Sequence, residues 1–220
     1  MAIETDRNGI PWMRHLIPEG AQGTARVSHF EITEDAARWE NMRYSINRQL
    51  WLMRIEAGQY VRLHADGDLQ MSDTQMERRT NCDILRDANG NVLIGGLGIG
   101  MLPATLLMVE RRPGREVRSV TIVERNPDVI ALVEPHIRDP RLTVIEGDVF
   151  DWKPEKGQRF DAIYMDIWPG MSTDNLDDMA RLHRRFSPYV NRENPLALLT
   201  SWLVDHLRRE RRSDSRTRWY

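Results

Sequence analysis

The chain has 220 residues, of which 40% are hydrophobic and 29% are charged, and its formal net charge is −2 at pH 7. This length and composition fit one soluble globular core with an appendage better than two full domains. No apolar run approaches the roughly 20 residues that cross a bilayer, and the start of the chain lacks a basic segment leading into an apolar stretch. We therefore expect a cytoplasmic protein that does not enter a membrane. The near-neutral charge gives no indication of a nucleic-acid partner, and the single Cys82 excludes an intrachain disulfide and a CxxC zinc site.

The first part of the chain predicts an arm followed by one helix. Residues 1–23 contain four turn-forming residues and no periodic pattern, so we expect a loop there: Pro11, Pro18, Gly20 and Gly23. Residues 34–53 predict a helix with Thr33 as its N-cap, because their apolar residues recur at helical spacing. These residues, which we expect to form the packing face, are Ala36, Trp39, Met42, Ile46, Leu50 and Met53.

A hairpin and a second helix are predicted next. Residues 60–64 and 68–71 are short apolar alternations on either side of Asp66-Gly67, and such a pair around Asp-Gly is typical of a β-hairpin. Thr74 and Glu77 have the spacing of a capping box. They predict a helix that runs toward Ala88.

From Asn91 onward, strands and helices alternate, which predicts a parallel sheet covered on both faces. The predicted strands are 91–95, 119–124, 141–145 and 160–166, and the predicted helices are 101–110, 127–137 and 174–189. Residues 196–202 fit either a fifth strand or the opening of a last helix. The fold class is therefore α/β, with a doubly wound, Rossmann-like domain ending in an arginine-rich helix over residues 74–220. Residues 1–73 form a small extension of arm, helix and hairpin.

A glycine loop follows the first strand of this predicted sheet. Gly96, Gly98 and Gly100 alternate with apolar residues between the strand and a helix. Glycine lets a ligand approach the backbone, and a helix N-terminus offers free N–H donors. A tight strand-to-helix turn explains the glycines about equally well. Met101 stands where dinucleotide-binding loops require a small residue, which disfavours NAD.

Acidic residues follow the second and third strands. Glu124 ends the second strand, where the carboxyl edge of a parallel sheet places it in the ligand crevice and its two oxygens can accept both ribose hydroxyls. Asp148 follows the third strand and can accept a hydrogen bond from an adenine amine, while the Val149 N–H faces a ring nitrogen. Together these three residues predict an adenosine site. The alternative is a pair of acids that simply face water at strand ends.

The segment 92–166 resembles the cofactor half of class I S-adenosylmethionine-dependent methyltransferases, and within them the spermidine synthase-like branch. The matching words are VLIGGLGIG at 92–100, VE at 123–124, RLTVIEGD at 141–148 and FDAIYMD at 160–166. The resemblance implies S-adenosylmethionine as cofactor and S-adenosylhomocysteine as product. It places the three glycines at the amino-acid part of the cofactor, Glu124 on the ribose, and Asp148 with Val149 at adenine, and Arg125 is a further candidate cofactor-binding residue. A weaker similarity at 66–70 implies that Gln70 reaches the active site.

The sequence also departs from the spermidine synthases. Leu97 and Ile99 occupy loop positions where those enzymes carry an acid, and Asp166 is followed by Ile-Trp-Pro-Gly rather than by a longer acidic motif. A diamine needs several carboxylates, and we place only Asp166 and Asp73 there. Asp166 is the candidate general base, with a tie to backbone N–H groups or to the cofactor ammonium as the alternative. Trp168 is either an aromatic wall for the acceptor or a core residue.

Three functions remain open at this stage. The first is a methyltransferase that acts on a small-molecule acceptor of unassigned identity. The second is a spermidine synthase-like aminopropyltransferase. The third is a non-catalytic adenosyl-ligand-binding protein, in which some of the seven tryptophans line the interface of a homodimer. No metal site is predicted.

Overall fold

The computed structural model describes residues 3–46 and 53–217. These residues form two sheets, a four-stranded sheet in the order β1-β2-β3-β4 and a five-stranded sheet in the order β7-β6-β5-β8-β9. The first sheet is antiparallel and the second is parallel throughout. No helix within the described ranges is long and apolar enough to cross a membrane.

The N-terminal extension contains more regular structure than its sequence predicts. A 3-10 turn, Met13–His15, precedes the strands β1 (Gly20–Gln22), β2 (Ala25–Ile32), β3 (Gly58–Ala65) and β4 (Asp68–Ser72). The prediction of a loop over residues 1–23 was therefore wrong. Ile10, Met13 and Ile17 of this segment are at most 1% exposed. Gly20 opens β1, Pro11 forms an isolated β-bridge with Thr5, and only Gly23 of the four expected turn residues lies in a turn. The local pattern does not reveal the distant side chains that cover this segment.

Helix α1 (Glu34–Ile46) lies between β2 and β3 and confirms part of the second prediction. The Thr33 hydroxyl accepts a hydrogen bond from the Ala36 N–H at 3.2 Å, as expected of an N-cap. The predicted packing face was wrong, because Trp39 and Met42 are 65% and 50% exposed and Ala37 is buried instead. The predicted continuation over residues 47–52 lies outside the described residues.

The hairpin is confirmed, whereas the helix after it differs from the prediction. Strands β3 and β4 pair around Asp66 and Gly67, whose φ values of 55° and 88° are those of a tight hairpin turn. The single helix predicted toward Ala88 is divided into α2 (Gln75–Thr80) and α3 (Cys82–Asp87). Thr74 occupies the N-cap position but makes no capping hydrogen bond through its side chain. The predicted capping box is therefore absent, and the Glu77 side chain does not have the capping role that its spacing from Thr74 predicts.

The parallel sheet confirms the predicted doubly wound α/β class. Its strands are β5 (Gly90–Gly95), β6 (Val117–Glu124), β7 (Leu142–Glu146), β8 (Ala162–Met165) and β9 (Leu198–Ser201). Residues 198–201 therefore form a fifth strand. Strand β5 is central, with β6 and β7 on one side and β8 and β9 on the other. The strand order thus reverses between β5 and β8, and ligands bind at the carboxyl edge of such a switch point.

Helices cover the parallel sheet, and the antiparallel sheet shares its core. The helices are α4 (Met101–Met108), α5 (Pro127–Val133), α6 (Asn175–Phe186) and α7 (Val204–Thr217). One apolar cluster contains Val27 and Leu63 of the antiparallel sheet together with Val92 and Ile94 of β5. A second cluster on the opposite face of the parallel sheet contains Leu93 of β5. The proposed division of the chain at residue 73 remains a prediction.

Candidate active site

One cavity lies at the carboxyl edge of the parallel sheet, at the switch point. The loops after β5, β6, β7 and β8 form its floor, and the hairpin β3–β4 with helix α2 closes it. Most of the residues predicted to form the site line this cavity: Gln70, Gly96, Gly98, Glu124, Arg125, Asp148, Val149, Asp166 and Trp168. The structure therefore brings together positions that are almost 100 residues apart in the chain.

The glycine loop is held by close contacts with the rest of the protein. Gly96 has a φ of +95°, and a side chain on it would collide with the backbone carbonyl of Asp166. Gly98 has a φ of +54°, and a side chain there would collide with the Met71 sulfur of β4. Glycine is thus needed here for chain conformation and packing. The antiparallel sheet covers the loop through Met71.

Glu124 links the glycine loop to the loop after β6. Its Oε2 accepts a hydrogen bond from the Leu97 N–H at 2.8 Å, and its Oε1 accepts one from the Asn126 N–H at 2.8 Å. Asn126 in turn caps helix α5, since its side chain accepts from the Asp128 and Val129 N–H groups. The carboxylate is therefore held in a defined orientation at the cavity wall.

Asp148 and Val149 lie in the loop after β7. The Oδ1 of Asp148 accepts a hydrogen bond from the Phe150 N–H at 2.8 Å, which orders the loop locally. The Gly147 N–H donates to the Glu124 carbonyl at 2.9 Å and ties this loop to the previous one. Val149 is 4% exposed and packs in the second apolar cluster. This loop and Glu124 thus form one continuous side of the cavity.

Asp166 follows β8 on the other side of the switch point. Its backbone N–H donates to the Gly95 carbonyl at 2.9 Å, which places the side chain beside the glycine loop. Burial raises the pKa of its carboxyl group to about 7. The group therefore changes its protonation state near neutral pH, as suits a residue that accepts a proton.

Glu77 is a cavity residue that sequence reasoning missed. It lines the same cavity from helix α2. Burial, and then the negative charge of Asp166, raise its pKa to about 8. Its spacing from Thr74 matched a capping box, and no local signal in the sequence separates that role from a position in the cavity.

Two tryptophans form an aromatic part of the wall. Trp168 lines the cavity and also packs against the second apolar cluster and against a third one that contains Leu176. This position is compatible with both predictions for Trp168, an aromatic wall and a core residue. Trp202, which the sequence did not single out, follows β9 and is 3% exposed. Its Nε1 donates to the Thr80 hydroxyl at 3.0 Å. The last strand and helix α2 therefore meet at the cavity.

Two residues predicted for the site lie outside the cavity. Asp73 has a side chain that is 0% exposed and pairs with the buried Arg78 at 3.0 Å. Its oxygens also accept from the Val61 and Met13 N–H groups, at 2.6 and 3.2 Å. Asp73 is thereby withdrawn from any acceptor. Gly100 begins helix α4 with a φ of +74° and faces apolar side chains, of which the nearest are Ile137 and Val133.

The distribution of acidic, histidine and cysteine side chains bears on metal binding. Within residues 3–46 and 53–217, no cluster of three or more His, Cys, Asp or Glu side chains could hold a metal ion. The described cavity is lined by carboxyl groups, glycines and aromatic side chains.

Comparison with known proteins identifies relatives of part of the chain. No protein-family model matches it. It is 35% identical over 136 residues to a polyamine aminopropyltransferase of Corynebacterium efficiens, covering 56% of this chain and 24% of the relative. It is 37% identical over 121 residues to polyamine aminopropyltransferase 1 of Streptomyces coelicolor, covering 49% of this chain and 22% of that protein. The chain thus spans about a quarter of the length of these curated relatives.

Solved structures resemble the fold more distantly. The structure described as a DhpI-SAM-HEP complex is 18% identical, with a TM-score of 0.39, and the match covers 56% of this chain and 51% of the other. The strand order and the glycine loop define the architecture independently of that comparison. Over about half of its length, the chain has a Rossmann-like architecture and a sequence similar to those of polyamine aminopropyltransferases, which confirms its resemblance to the spermidine synthase-like branch.

Proposed function

We propose that this chain is an S-adenosylmethionine-dependent transferase that moves a methyl group to a small-molecule acceptor. The observation that carries the proposal is the order of acids around one cavity. Glu124, Asp148 and Asp166 follow three different strands of the parallel sheet, on both sides of the switch point. This arrangement suits an adenosine at one end and a reacting group at the other.

The residues present fit an adenosyl cofactor. Each carboxylate oxygen of Glu124 accepts one backbone N–H and retains a second lone pair for a ribose hydroxyl. Asp148 and Val149 stand where an adenine would lie, one as acceptor and one through its N–H. The glycine loop and Arg125 would hold the remaining polar parts. The fit therefore rests on donors and acceptors that the fold has already oriented.

The bound cofactor would supply an electrophilic methyl group on a sulfonium. The chain's own part is to exclude water and to accept a proton. Trp168, Trp202 and the hairpin enclose the reacting end of the cavity, which favours a transfer between oriented reactants. Asp166 is placed to take the proton that the nucleophile loses. Because its carboxyl pKa is about 7, turnover should rise as the pH passes through that value.

Aminopropyl transfer is the second candidate, and two observations favour it. The curated relatives bear that name, and Glu77 supplies a second carboxyl group beside Asp166. Leu97 and Ile99 in the glycine loop count against it, because neither can bind an ammonium group. We rank it below methyl transfer for this reason.

Ligand binding tests the cofactor. S-adenosylmethionine and S-adenosylhomocysteine should each raise the melting temperature, since a ligand selective for the native state stabilises it by mass action. NAD should leave the melting temperature unchanged. A shift with NAD and none with the adenosyl ligands would overturn the proposal.

Product analysis then separates the two reactions. The protein is incubated with a panel of small amines and alcohols, including diamines, and with either S-adenosylmethionine or its decarboxylated form. Methyl transfer yields S-adenosylhomocysteine, whereas aminopropyl transfer yields 5′-methylthioadenosine. Asp166→Asn should lower turnover of the active pair roughly 10²- to 10⁴-fold if Asp166 is a general base. Binding of the ligand without either product would favour the non-catalytic adenosyl-binding function.

A further inference from the structure

Two carboxyl groups in the cavity have no hydrogen-bond or ion-pair partner among the described residues. Within residues 3–46 and 53–217, the side chains of Glu77 and Asp166 accept no hydrogen bond and form no ion pair, although both line the cavity. The other carboxylates of the cavity differ in this respect. Glu124, Asp148 and Asp66 each accept at least one N–H from the protein. The fold thus leaves these two groups available at the end of the cavity opposite the proposed adenosine contacts.

The two groups reach the cavity from different parts of the chain. Glu77 belongs to helix α2, which closes the cavity, and Asp166 belongs to the loop after β8, which forms its floor. The negative charge of Asp166 acts on Glu77, and both charges act on the buried Tyr164 hydroxyl beneath them. That hydroxyl donates to the Asn81 side chain at 2.8 Å. The two carboxyl groups are therefore close enough for the charge of Asp166 to act on Glu77.

Two such carboxyl groups cannot both ionise freely, because burial and mutual repulsion disfavour the second charge. The pKa of Asp166 is raised to about 7 and that of Glu77 to about 8. Near neutral pH the pair therefore carries about one negative charge. The other charged or titratable groups that line the cavity or stand behind the pair are Asp66, Glu124, Arg125, Asp148, Tyr164 and Asp83.

We propose that Glu77 and Asp166 act as one proton-sharing pair, whose singly protonated form receives the proton that the acceptor's nucleophile loses during transfer. The inference rests on the proposed function and extends it to a residue in the N-terminal part of the chain. Asp166 is the group that faces the acceptor. Glu77 is a positioning residue that acts through Asp166.

The charges balance through this step. Before transfer the sulfonium carries one positive charge and the pair carries one negative charge. The bond from carbon to sulfur breaks with its electron pair left on sulfur, and the nucleophile forms the new bond to that carbon. The nucleophile's N–H or O–H proton passes to the pair, so the thioether and the pair are both neutral. The proton then leaves to solvent. A fully ionised pair would lack this balance.

The first test needs neither cofactor nor acceptor. The native pair binds protons that unfolded carboxyl groups, with pKa values of about 4, release. The contribution of the pair to the melting temperature should therefore be complete below about pH 4, fall as the pH rises from there, and be lost above about pH 8. Glu77→Gln and Asp166→Asn should each weaken this fall, and the double variant should add less than the sum of the two. The control Asp83→Asn removes an exposed carboxylate from the next helix and should leave the fall unchanged.

The second test uses the charge of the sulfonium. Calorimetric titration at pH 7.5 in two buffers of different ionisation enthalpy measures protons released on binding. S-adenosylmethionine should release up to about one proton, because its cation lowers the pKa of the pair. Neutral S-adenosylhomocysteine should release less, and Glu77→Gln should reduce the difference between the two ligands, because only Asp166 then remains to release a proton.

The outcomes separate the two proposals. If neither adenosyl ligand binds but the pH dependence of melting behaves as stated, the cofactor assignment fails and the carboxyl pair stands. If Glu77→Gln and Asp166→Asn both melt with the same pH dependence as Asp83→Asn, the pair is refuted whatever the protein binds. Should Glu77→Gln fail to fold, Asp166→Asn against the same control decides the question.

Discussion

The two sheets of this protein differ in how completely their strands are buried. Strand β8 of the parallel sheet is buried at every position, and β5 is buried at all but one. Strand β2 of the antiparallel sheet instead shows partial alternation between buried and more exposed residues. A parallel sheet packed on both faces exposes only its ends. The difference explains why the cavity lies at an edge of the parallel sheet, while the antiparallel sheet acts as its cover.

The links between the two sheets also differ in kind. The N-terminal arm and helix α2 are joined by a buried ionic cluster around Arg78, which pairs with Asp73 and Asp6. Near the cavity, the links are exposed hydrogen bonds, from Thr24 to Asp128 and from Asn126 to Asp66. Four substitutions measure how much each region depends on these features.

The largest effect is expected at Arg78. Its side chain is 0% exposed, and it donates to two carboxylates and to the carbonyls of Ile10, Pro11 and Asp73. Arg78→Met leaves the buried carboxylate of Asp73 uncompensated, so the free energy of unfolding in urea should fall by roughly 3–5 kcal/mol. Arg43→Met removes a pair with Glu40 whose arginine is 71% exposed. It should change stability by less than about 0.5 kcal/mol, and equal losses in both variants would contradict this account.

Gly96→Ala should have the next largest effect. The substitution strains a residue with a φ of +95° and drives its side chain into the Asp166 carbonyl, which should cost about 2–4 kcal/mol of unfolding free energy. Gly67 of the hairpin has a φ of +88° but nothing within 4 Å of an added side chain. Gly67→Ala should cost only the strain, about 1–2 kcal/mol. Chemical denaturation of both variants checks whether crowding distinguishes the cavity loop from the turn.

Glu124→Ala should weaken S-adenosylhomocysteine binding by about 1.5–3 kcal/mol, as expected when hydrogen bonds to a charged group are lost. Folding should survive, because the side chain lies at a strand end. Glu146 provides the control. It is exposed, it lies opposite Glu124 in the register of strands β6 and β7, and it is not among the cavity residues. Calorimetric affinity that falls equally in Glu124→Ala and Glu146→Ala would remove the proposed ribose contact.

The smallest effect is expected where the turn between β1 and β2 meets helix α5 in solvent. Asp128→Ala removes the acceptor of the Thr24 N–H, at 2.8 Å, and of its hydroxyl, at 3.3 Å. Because these bonds are exposed, thermal denaturation should show a loss of about 0.5–1 kcal/mol. Asp177→Ala is the control, because Asp177 is likewise an acid in the first turn of a helix, α6. Among the described residues, the Asp177 side chain pairs only with Arg211, at 3.3 Å. A loss in Asp128→Ala no larger than that in Asp177→Ala would show that the sheets do not depend on this link.

The parallel half of the protein was predictable because its signals are local. Each strand from β5 to β8 contains a short, mainly apolar run, and glycines or acids lie at or directly after its carboxyl end in the chain. The rules for parallel sheets place those residues at one edge. The hairpin was predictable for the same reason, since Asp66 and Gly67 adopt the positive φ values that its turn requires. The sequence alone therefore determined the fold class and most of the cavity residues proposed to contact adenosine.

Tertiary structure decided the rest, because those features depend on partners far away in the chain. Strands β1 and β2 have no strong pattern of their own, and they are held by pairing, β1 with β2 and β2 with β3. Asp73 was expected in the site, yet Arg78 and the backbone of the arm hold it in a buried cluster. Glu77 fits a capping box by spacing, but α2 packs so that its carboxyl group faces Asp166, 89 positions later in the numbering. A local pattern cannot specify which face of a short helix is buried; only packing against the completed parallel sheet does so.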